Sequence, residues 1–142
     1  MTTVKEVMIG NIISVEASTP AIVVAQRMKV SKTGVIPVCE NGKFRGVVTE
    51  RDIVIGIVAA GGNPNTVPAS SLMNKSWPII SPGDDIWHAI NVMAQNGVQV
   101  LPVVQNGNLM GLLSLDGLGQ RSPALAAVVF SKTIKLQASG VA

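Results

Sequence analysis

The chain has 142 residues, of which 47% are apolar and 13% are charged. This composition excludes an intrinsically disordered chain, which is poor in apolar residues, and a coiled coil, which needs dense Glu, Lys and Arg. The basic and acidic residues balance over residues 1–118, so the formal net charge of +3 comes from Arg121, Lys132 and Lys135 near the C-terminus.

The first elements along the chain predict an apolar segment followed by a helix. Residues 12–15 form a short apolar run. Thr19 is a suitable N-cap and Pro20 suits the first helical position that follows. Ala21, Val24, Ala25 and Met28 then recur at helical spacing.

A β-hairpin and a second helix follow. The apolar runs Val35–Cys39 and Phe44–Val48 flank the pair Asn41-Gly42, which strongly favours a tight hairpin turn. The segment from Asp52 to Ala60 predicts the second helix. The first part of the chain is therefore interpreted as one β-α-β-β-α unit.

The same unit occurs again 65 positions later, where residues 72–118 align with residues 7–53 without a gap. The second copy begins at the apolar run 77–80. Its first helix is expected to follow Asp84-Asp85 and to end at Asn96-Gly97. Identical pairs include Met28/Met93, Val35/Val100, Pro37/Pro102, Gly46/Gly111 and Asn41-Gly42/Asn106-Gly107.

A unit this small does not bury both faces of its sheet, so two units are expected to pack together. We predict an α/β (α+β) fold built from two pseudo-twofold-related β-α-β-β-α repeats. The predicted domains are residues 1–62, residues 63–122, and a tail of residues 123–142 that is helical or contacts a partner.

Several classes of protein are not favoured. The apolar stretches 53–60 and 124–130 are much shorter than the roughly 20 residues of a membrane span, and the N-terminus lacks the pattern of a signal peptide. We therefore expect a cytoplasmic protein.

Cys39 is interpreted as a core thiol, and a single cysteine excludes a disulfide framework or a Cys-rich zinc site. His88 alone does not make a catalytic or metal centre, so no enzyme, cofactor or metal is predicted.

One motif carries possible chemistry, the run from Gly46 to Asp52 at the end of the hairpin. Gly46 allows another group to approach the strand backbone. The Thr49 hydroxyl and the Asp52 carboxylate, three residues apart at a helix start, can hydrogen-bond a vicinal diol such as that of ribose. The helix start favours a phosphate, and Arg51 adds a cation for it. The same spacing is also typical of a capping box, which only satisfies the helix end.

The order, spacing and duplication of these motifs resemble a pair of CBS (cystathionine-β-synthase-type) domains, a Bateman-type module, over about residues 4–120. The resemblance implies a regulatory protein that binds AMP, ADP, ATP or S-adenosylmethionine between its repeats, signals by conformational change to an unknown effector protein, and dimerises through helices. Candidate dimer segments are 53–60 and 124–130.

The resemblance also implies site residues. Thr49 and Asp52 would hold ribose, Arg51 would lie near phosphate, and the adenine would lie among Ser76, Trp77, Pro78, Val98, Gln99 and Val100. A weaker second site would combine Ser114 with Asn11, Ile12, Ile13, Thr33 and Gly34. It is expected to be weak or empty because Gly117 stands where the first copy has Asp52.

Two alternatives remain open. The chain could be a homodimeric interaction scaffold in which the Thr49–Asp52 motif is only a helix cap. It could also bind nucleic acid through its basic tail, although it lacks the dense Lys/Arg stripe typical of such proteins.

Overall fold

The computed structural model describes residues 1–121, and the predicted tail, including the stretch 124–130, lies outside them. The fold is mixed α/β. The strands are β1 (Val15–Glu16), β2 (Val35–Glu40), β3 (Lys43–Thr49), β4 (Val100–Gln105) and β5 (Asn108–Ser114). The helices are α1 (Val4–Val7), α2 (Ala21–Ser31), α3 (Glu50–Ile53), α4 (Ala69–Leu72), α5 (Ile86–Asn96) and α6 (Leu115–Arg121), with a π-helix over Val54–Ala59.

The chain divides into two compact units. The first-repeat unit contains Ile13–Trp77 and the hairpin tip Gly107–Leu109. The second-repeat unit contains Met1–Ile12, Pro78–Asn106 and, of the described residues after the hairpin tip, residues 110–121. Each unit thus includes a segment that precedes the other repeat in the sequence. The predicted boundaries at 62 and 122, which describe repeats along the chain, remain a prediction.

In the first-repeat unit, β1 runs parallel to β2 and β2 pairs antiparallel with β3. The hairpin prediction is confirmed, because Asn41 and Gly42 both have positive φ (53° and 79°), as a tight hairpin turn of this kind requires. Helix α2 packs its buried face on this sheet. The core of the unit is formed by Val15, Ala17, Val24, Met28, Ile36, Val38, Val48 and Ala69.

The start of α2 differs from the prediction. Pro20, and not Thr19, occupies the N-cap position, and the helix begins at Ala21. The cause is the segment after the π-helix, which contacts the start of α2 through its backbone. The Ala21 N–H donates to the Val67 carbonyl at 2.8 Å, and the Ala69 N–H donates to the Thr19 carbonyl at 2.7 Å. Backbone hydrogen bonds therefore satisfy this end of the helix without a side-chain cap.

In the second-repeat unit, the N-terminal residues complete the core around α5, β4 and β5. The Val4 N–H donates to the Asp84 carbonyl at 2.9 Å, and Ile9 and Leu112 exchange backbone hydrogen bonds of 2.8 and 3.0 Å. The predicted helix end is confirmed, since Gly97 is the C-cap of α5 with a φ of 65°. The core consists of Val4, Ile80, Ile86, Ala89, Ile90, Met93, Leu101, Val103, Leu113, Leu115 and Leu118.

The segments that open the repeats are shorter strands than their apolar runs suggested. In the first repeat only Val15 and Glu16 form β1, and in the second Ile80 alone makes a parallel bridge, to Val103. The predicted helix from Asp52 to Ala60 is a short α-helix followed by the π-helix.

Candidate ligand-binding site

The Thr49–Asp52 turn joins β3 to α3 and forms a complete capping box. The Asp52 N–H donates to Thr49 Oγ1 at 3.1 Å, and the Thr49 N–H donates to Asp52 Oδ2 at 2.8 Å. The capping interpretation is therefore realised in the structure. The capping box leaves two groups unused. These are the hydroxyl proton of Thr49 and the Oδ1 atom of Asp52. Both residues are partly exposed.

The corresponding turn in the second-repeat unit keeps only half of this arrangement. The Gly117 N–H donates to Ser114 Oγ at 3.0 Å. Gly117 has no side chain to return the hydrogen bond, and a Cβ added there would lie 2.7 Å from Ser114 Oγ. Asp116, which directly precedes Gly117, is exposed. The turn at Ser114 therefore presents a hydroxyl without the neighbouring carboxylate that Asp52 supplies.

Thr33 and Gly34 lie beside the Thr49 turn within the first-repeat unit. Val35 is opposite Thr49 in the hairpin, and the Glu50 N–H donates to the Gly34 carbonyl at 3.0 Å. Likewise, in the second-repeat unit the Leu115 N–H donates to the Gln99 carbonyl at 2.9 Å. The predicted second site groups Thr33 and Gly34 with Ser114, which belongs to the second-repeat unit. The structure places Thr33 and Gly34 in the first-repeat unit, near Thr49.

Ser76 and Trp77 follow a segment that is fastened to β3. Asn74 exchanges backbone hydrogen bonds of 2.8 and 3.2 Å with Val47, and Asn74 Oδ1 accepts from the Ser76 N–H at 2.8 Å. Ser76 is exposed and Trp77 is half-buried. These contacts place both residues in the unit that holds Thr49 and Asp52.

The other predicted residues are divided between the units. Pro78, Val98, Gln99, Val100, Asn11, Ile12 and Ser114 belong to the second-repeat unit, and Ile13 belongs to the first-repeat unit. Val98 packs against the core of its unit, whereas Gln99 is exposed. Arg51 is exposed on α3.

Gly46 has a structural role that the motif alone did not reveal. A Cβ at Gly46 would lie 2.6 Å from the Asn74 carbonyl oxygen, and a Cβ at Gly111 would lie 2.5 Å from the Ile9 carbonyl oxygen. The group that approaches the strand is therefore the protein's own backbone. In both repeats this glycine lets the segment that precedes the other repeat cross the second strand of the hairpin.

Cys39 is buried, as the interpretation of a core thiol predicts. Burial, followed by the negative charge of Glu16, raises the pKa of the thiol, against a smaller lowering by a hydrogen bond with Ser14. A thiol with a raised pKa is protonated at neutral pH and is a poor nucleophile. Among residues 1–121, no group of three or more His, Cys, Asp or Glu side chains could hold a metal ion.

The comparisons with known proteins identify the family. The CBS domain model matches twice, over residues 4–59 and 69–118. The chain belongs to the CBS domain family. It is 31% identical over 135 residues to Hypoxic response protein 1 of Mycobacterium tuberculosis, with 94% of each chain covered.

Two solved structures are also similar to this CBS-domain chain. The crystal structure of Hypoxic Response Protein I with two coordinated zinc ions has a TM-score of 0.77 and 29% identity, covering 86% of this chain and all of that one. The hexameric CBS-CP12 protein from bloom-forming cyanobacteria has a TM-score of 0.70 and 25% identity, covering 82% of this chain and 66% of that one.

The family membership carries general statements about this kind of protein. CBS pair proteins are regulatory modules, and those that stand alone are generally not enzymes. Related CBS proteins form oligomers. Within the part of the chain that the structure describes, no helix is both long and apolar enough to cross a membrane.

Proposed function

We propose that this CBS-domain protein is a non-enzymatic sensor of an adenosine-containing ligand: AMP, ADP, ATP or S-adenosylmethionine. The observation that carries the proposal is the Thr49–Asp52 turn, in which the hydroxyl proton of Thr49 and the second carboxylate oxygen of Asp52 take no part in the capping box. These two groups suit the vicinal hydroxyls of ribose. Arg51, exposed within the same turn, supplies a cation for a phosphate.

Thermal unfolding with and without each nucleotide tests this proposal. A ligand at 100 times its Kd stabilises the folded state by about 2.7 kcal/mol, which raises the Tm of a chain of this size by roughly 5–10 °C. We expect one ligand of the group to produce such a shift in the wild-type protein and D52N to lose most of it, because the amide has no charge and one acceptor oxygen fewer.

D84N is the matched control for D52N. Asp84 Oδ2 also accepts a backbone N–H at a turn, from Ser81 at 3.0 Å, but it lies in the second-repeat unit. D84N should therefore keep the ligand-induced shift. Equal shifts in D52N and D84N, or no shift with any of the ligands at concentrations of about 1 mM, would leave the Thr49–Asp52 turn as a helix cap only.

The exposed apolar surface of the π-helix favours self-association as a second property. Val54 and Ile55 are each 52% exposed and Val58 is 72% exposed. Apolar side chains clustered on one exposed helix are typical of an interface. We propose that a second copy of the chain covers them, which is also the basis of the alternative function as a homodimeric scaffold.

Sedimentation equilibrium of V58K measures this association. A buried lysine in the interface should shift the protein toward monomer, whereas V30K, which changes an equally exposed valine on α2, should not. If V58K and the wild-type protein have the same mass in solution, the π-helix is not the interface. Nucleic-acid binding through the tail and a cytoplasmic location both remain predictions, the former resting on residues outside the described part of the chain.

A further inference from the structure

A cavity of about 480 Å³ lies in the first-repeat unit, away from the Thr49 turn. It forms where the hairpin of β2 and β3 meets the segment from Ser70 to Lys75, which is fastened over Gly46 through Asn74. Its size is within the range of small-molecule sites. The lining consists of Glu40, Phe44, Arg45, Ser70, Met73 and Lys75.

The polar side chains of this cavity carry an excess of positive charge. Arg45 Nη2 lies 3.6 Å from Glu40 Oε1, and both side chains are 52% exposed, so this ion pair is weak and is readily exchanged for another partner. Lys75 is exposed, contributes a second cation, and has no hydrogen bond or ion pair with the described part of the chain. The two cations outnumber the single carboxylate by one charge.

The apolar side chains set the shape of the ligand that would fit. Phe44 and Met73 are both partly buried and line the same cavity as the two cations. An aromatic ring and a thioether offer an apolar contact surface to the body of an organic molecule. An inorganic anion would use the cations and leave this surface uncovered.

The equivalent cavity in the second-repeat unit lacks the charge arrangement. It measures about 330 Å³ and keeps a methionine at the matching repeat position, Met8 for Met73. At the same offset of 65 residues, Gln105 stands for Glu40, Met110 for Arg45 and Gly10 for Lys75. Lys5 stands for Ser70 and is the one charged residue among the described residues of this lining. The position of a cavity is therefore common to both repeats, and the pair of cations beside a carboxylate is particular to the first.

We propose that the cavity lined by Arg45, Lys75, Phe44 and Met73 binds a small organic anion with one negative charge and an apolar body. The anionic group would contact the guanidinium of Arg45 and the ammonium of Lys75, with the Ser70 hydroxyl as a further donor. The apolar body would cover Phe44 and Met73. This site is separate from the Thr49–Asp52 turn and does not depend on nucleotide binding there.

Two-dimensional NMR of the ¹⁵N-labelled chain tests the proposal, with phenylacetate as the probe. At probe concentrations up to about 10 mM, we expect the amide resonances of Phe44, Arg45, Ser70 and Lys75 to shift with saturation. R45Q and K75Q should each weaken the affinity about fivefold, because each removes a charge-assisted contact. R27Q, which removes an exposed cation from α2, should leave the affinity unchanged.

E40Q provides a variant with the opposite expected sign. Removing the carboxylate releases Arg45 from its ion pair and removes the only negative charge among the described lining residues, so phenylacetate should bind more tightly. Weaker binding in E40Q would mean that Glu40 recognises the ligand, and would overturn the proposed charge arrangement.

Two further probes separate charge from apolar contact. Benzyl alcohol, which has the ring without the charge, and inorganic phosphate, which has charge without the ring, should each bind more weakly than phenylacetate. Phosphate binding as tight as that of phenylacetate would overturn the organic character of the ligand. No saturable shift at the cavity, or a shift that R45Q and K75Q leave unchanged, would overturn the site itself.

Discussion

At the scale of single residues, Gly46 and Asp52 show how one motif serves two purposes. Asp52 completes a capping box with Thr49, which fixes the start of α3 and holds the carboxylate in one position. Gly46 allows the Asn74 carbonyl to lie against β3. The spacing of the motif predicted both a possible cap and a close backbone approach. It did not reveal that the approaching group is the chain itself.

The substitution G46A should destabilise the protein by about 2–3 kcal/mol, because its Cβ would meet the Asn74 carbonyl oxygen at 2.6 Å and the backbone would have to shift. Urea unfolding measures this loss. G10A is the control, since a Cβ at Gly10 would meet nothing within 4 Å. If G46A were as stable as G10A, the crossing segment at Asn74 would not be held as tightly as its hydrogen bonds indicate.

At the scale of elements, the two copies of the first helix end differently. Gly97 terminates α5 in the left-handed conformation, where glycine carries no steric cost. Lys32, at the same repeat position, terminates α2 with φ 56° and ψ 33°, a conformation that costs a residue with a Cβ roughly 1–2 kcal/mol. The sequence predicted the Gly97 end and gave no matching signal at Lys32.

K32G should therefore stabilise the protein by about 0.5–1 kcal/mol, after allowing for the extra freedom that glycine has in the unfolded chain. The Tm should rise by about 2–5 °C. The reverse change, G97K, should lower the Tm by a similar amount, because it places a Cβ in the left-handed region. A fall in Tm for K32G would mean that the Lys32 side chain contributes more than its backbone conformation costs.

At the scale of the whole molecule, the segment that precedes each repeat in the sequence packs with the other repeat. Residues 1–12 belong with the second repeat, and residues 63–77 belong with the first. Equivalent antiparallel backbone bridges hold these segments in place. Ile9 pairs with Leu112 in one unit, and Asn74 pairs with Val47 in the other. Each repeat therefore depends on a segment that is distant from it, or follows it, along the chain.

The buried residue Val4 tests this dependence. Its side chain is fully buried in the core of the second-repeat unit, although it lies 76 positions before Ile80 of the same core. V4A should lower the free energy of unfolding by about 2 kcal/mol. V30A, at a valine that is 75% exposed, should change it by less than about 0.5 kcal/mol. Equal stabilities for the two variants would show that the N-terminal segment adds nothing to this core.

The sequence by itself determined the local features of this protein. Hydrophobic spacing, the Asn-Gly pairs and the 65-residue offset predicted the repeat, both hairpins and the end of α5, because turn and helix signals act over a few neighbouring residues. The motif from Gly46 to Asp52 also predicted the capping box at Thr49, and the binding of a diol at this turn stays a prediction.

Only the tertiary structure decided which distant segments pack together. Val4 and Ala69 are fully buried, but the local sequence around an apolar residue does not encode its partner, since the hydrophobic effect is not directional. The start of α2 at Ala21, the role of Gly46 and the cavity at Arg45 and Lys75 all depend on that pairing. For the same reason they could not be derived from local sequence.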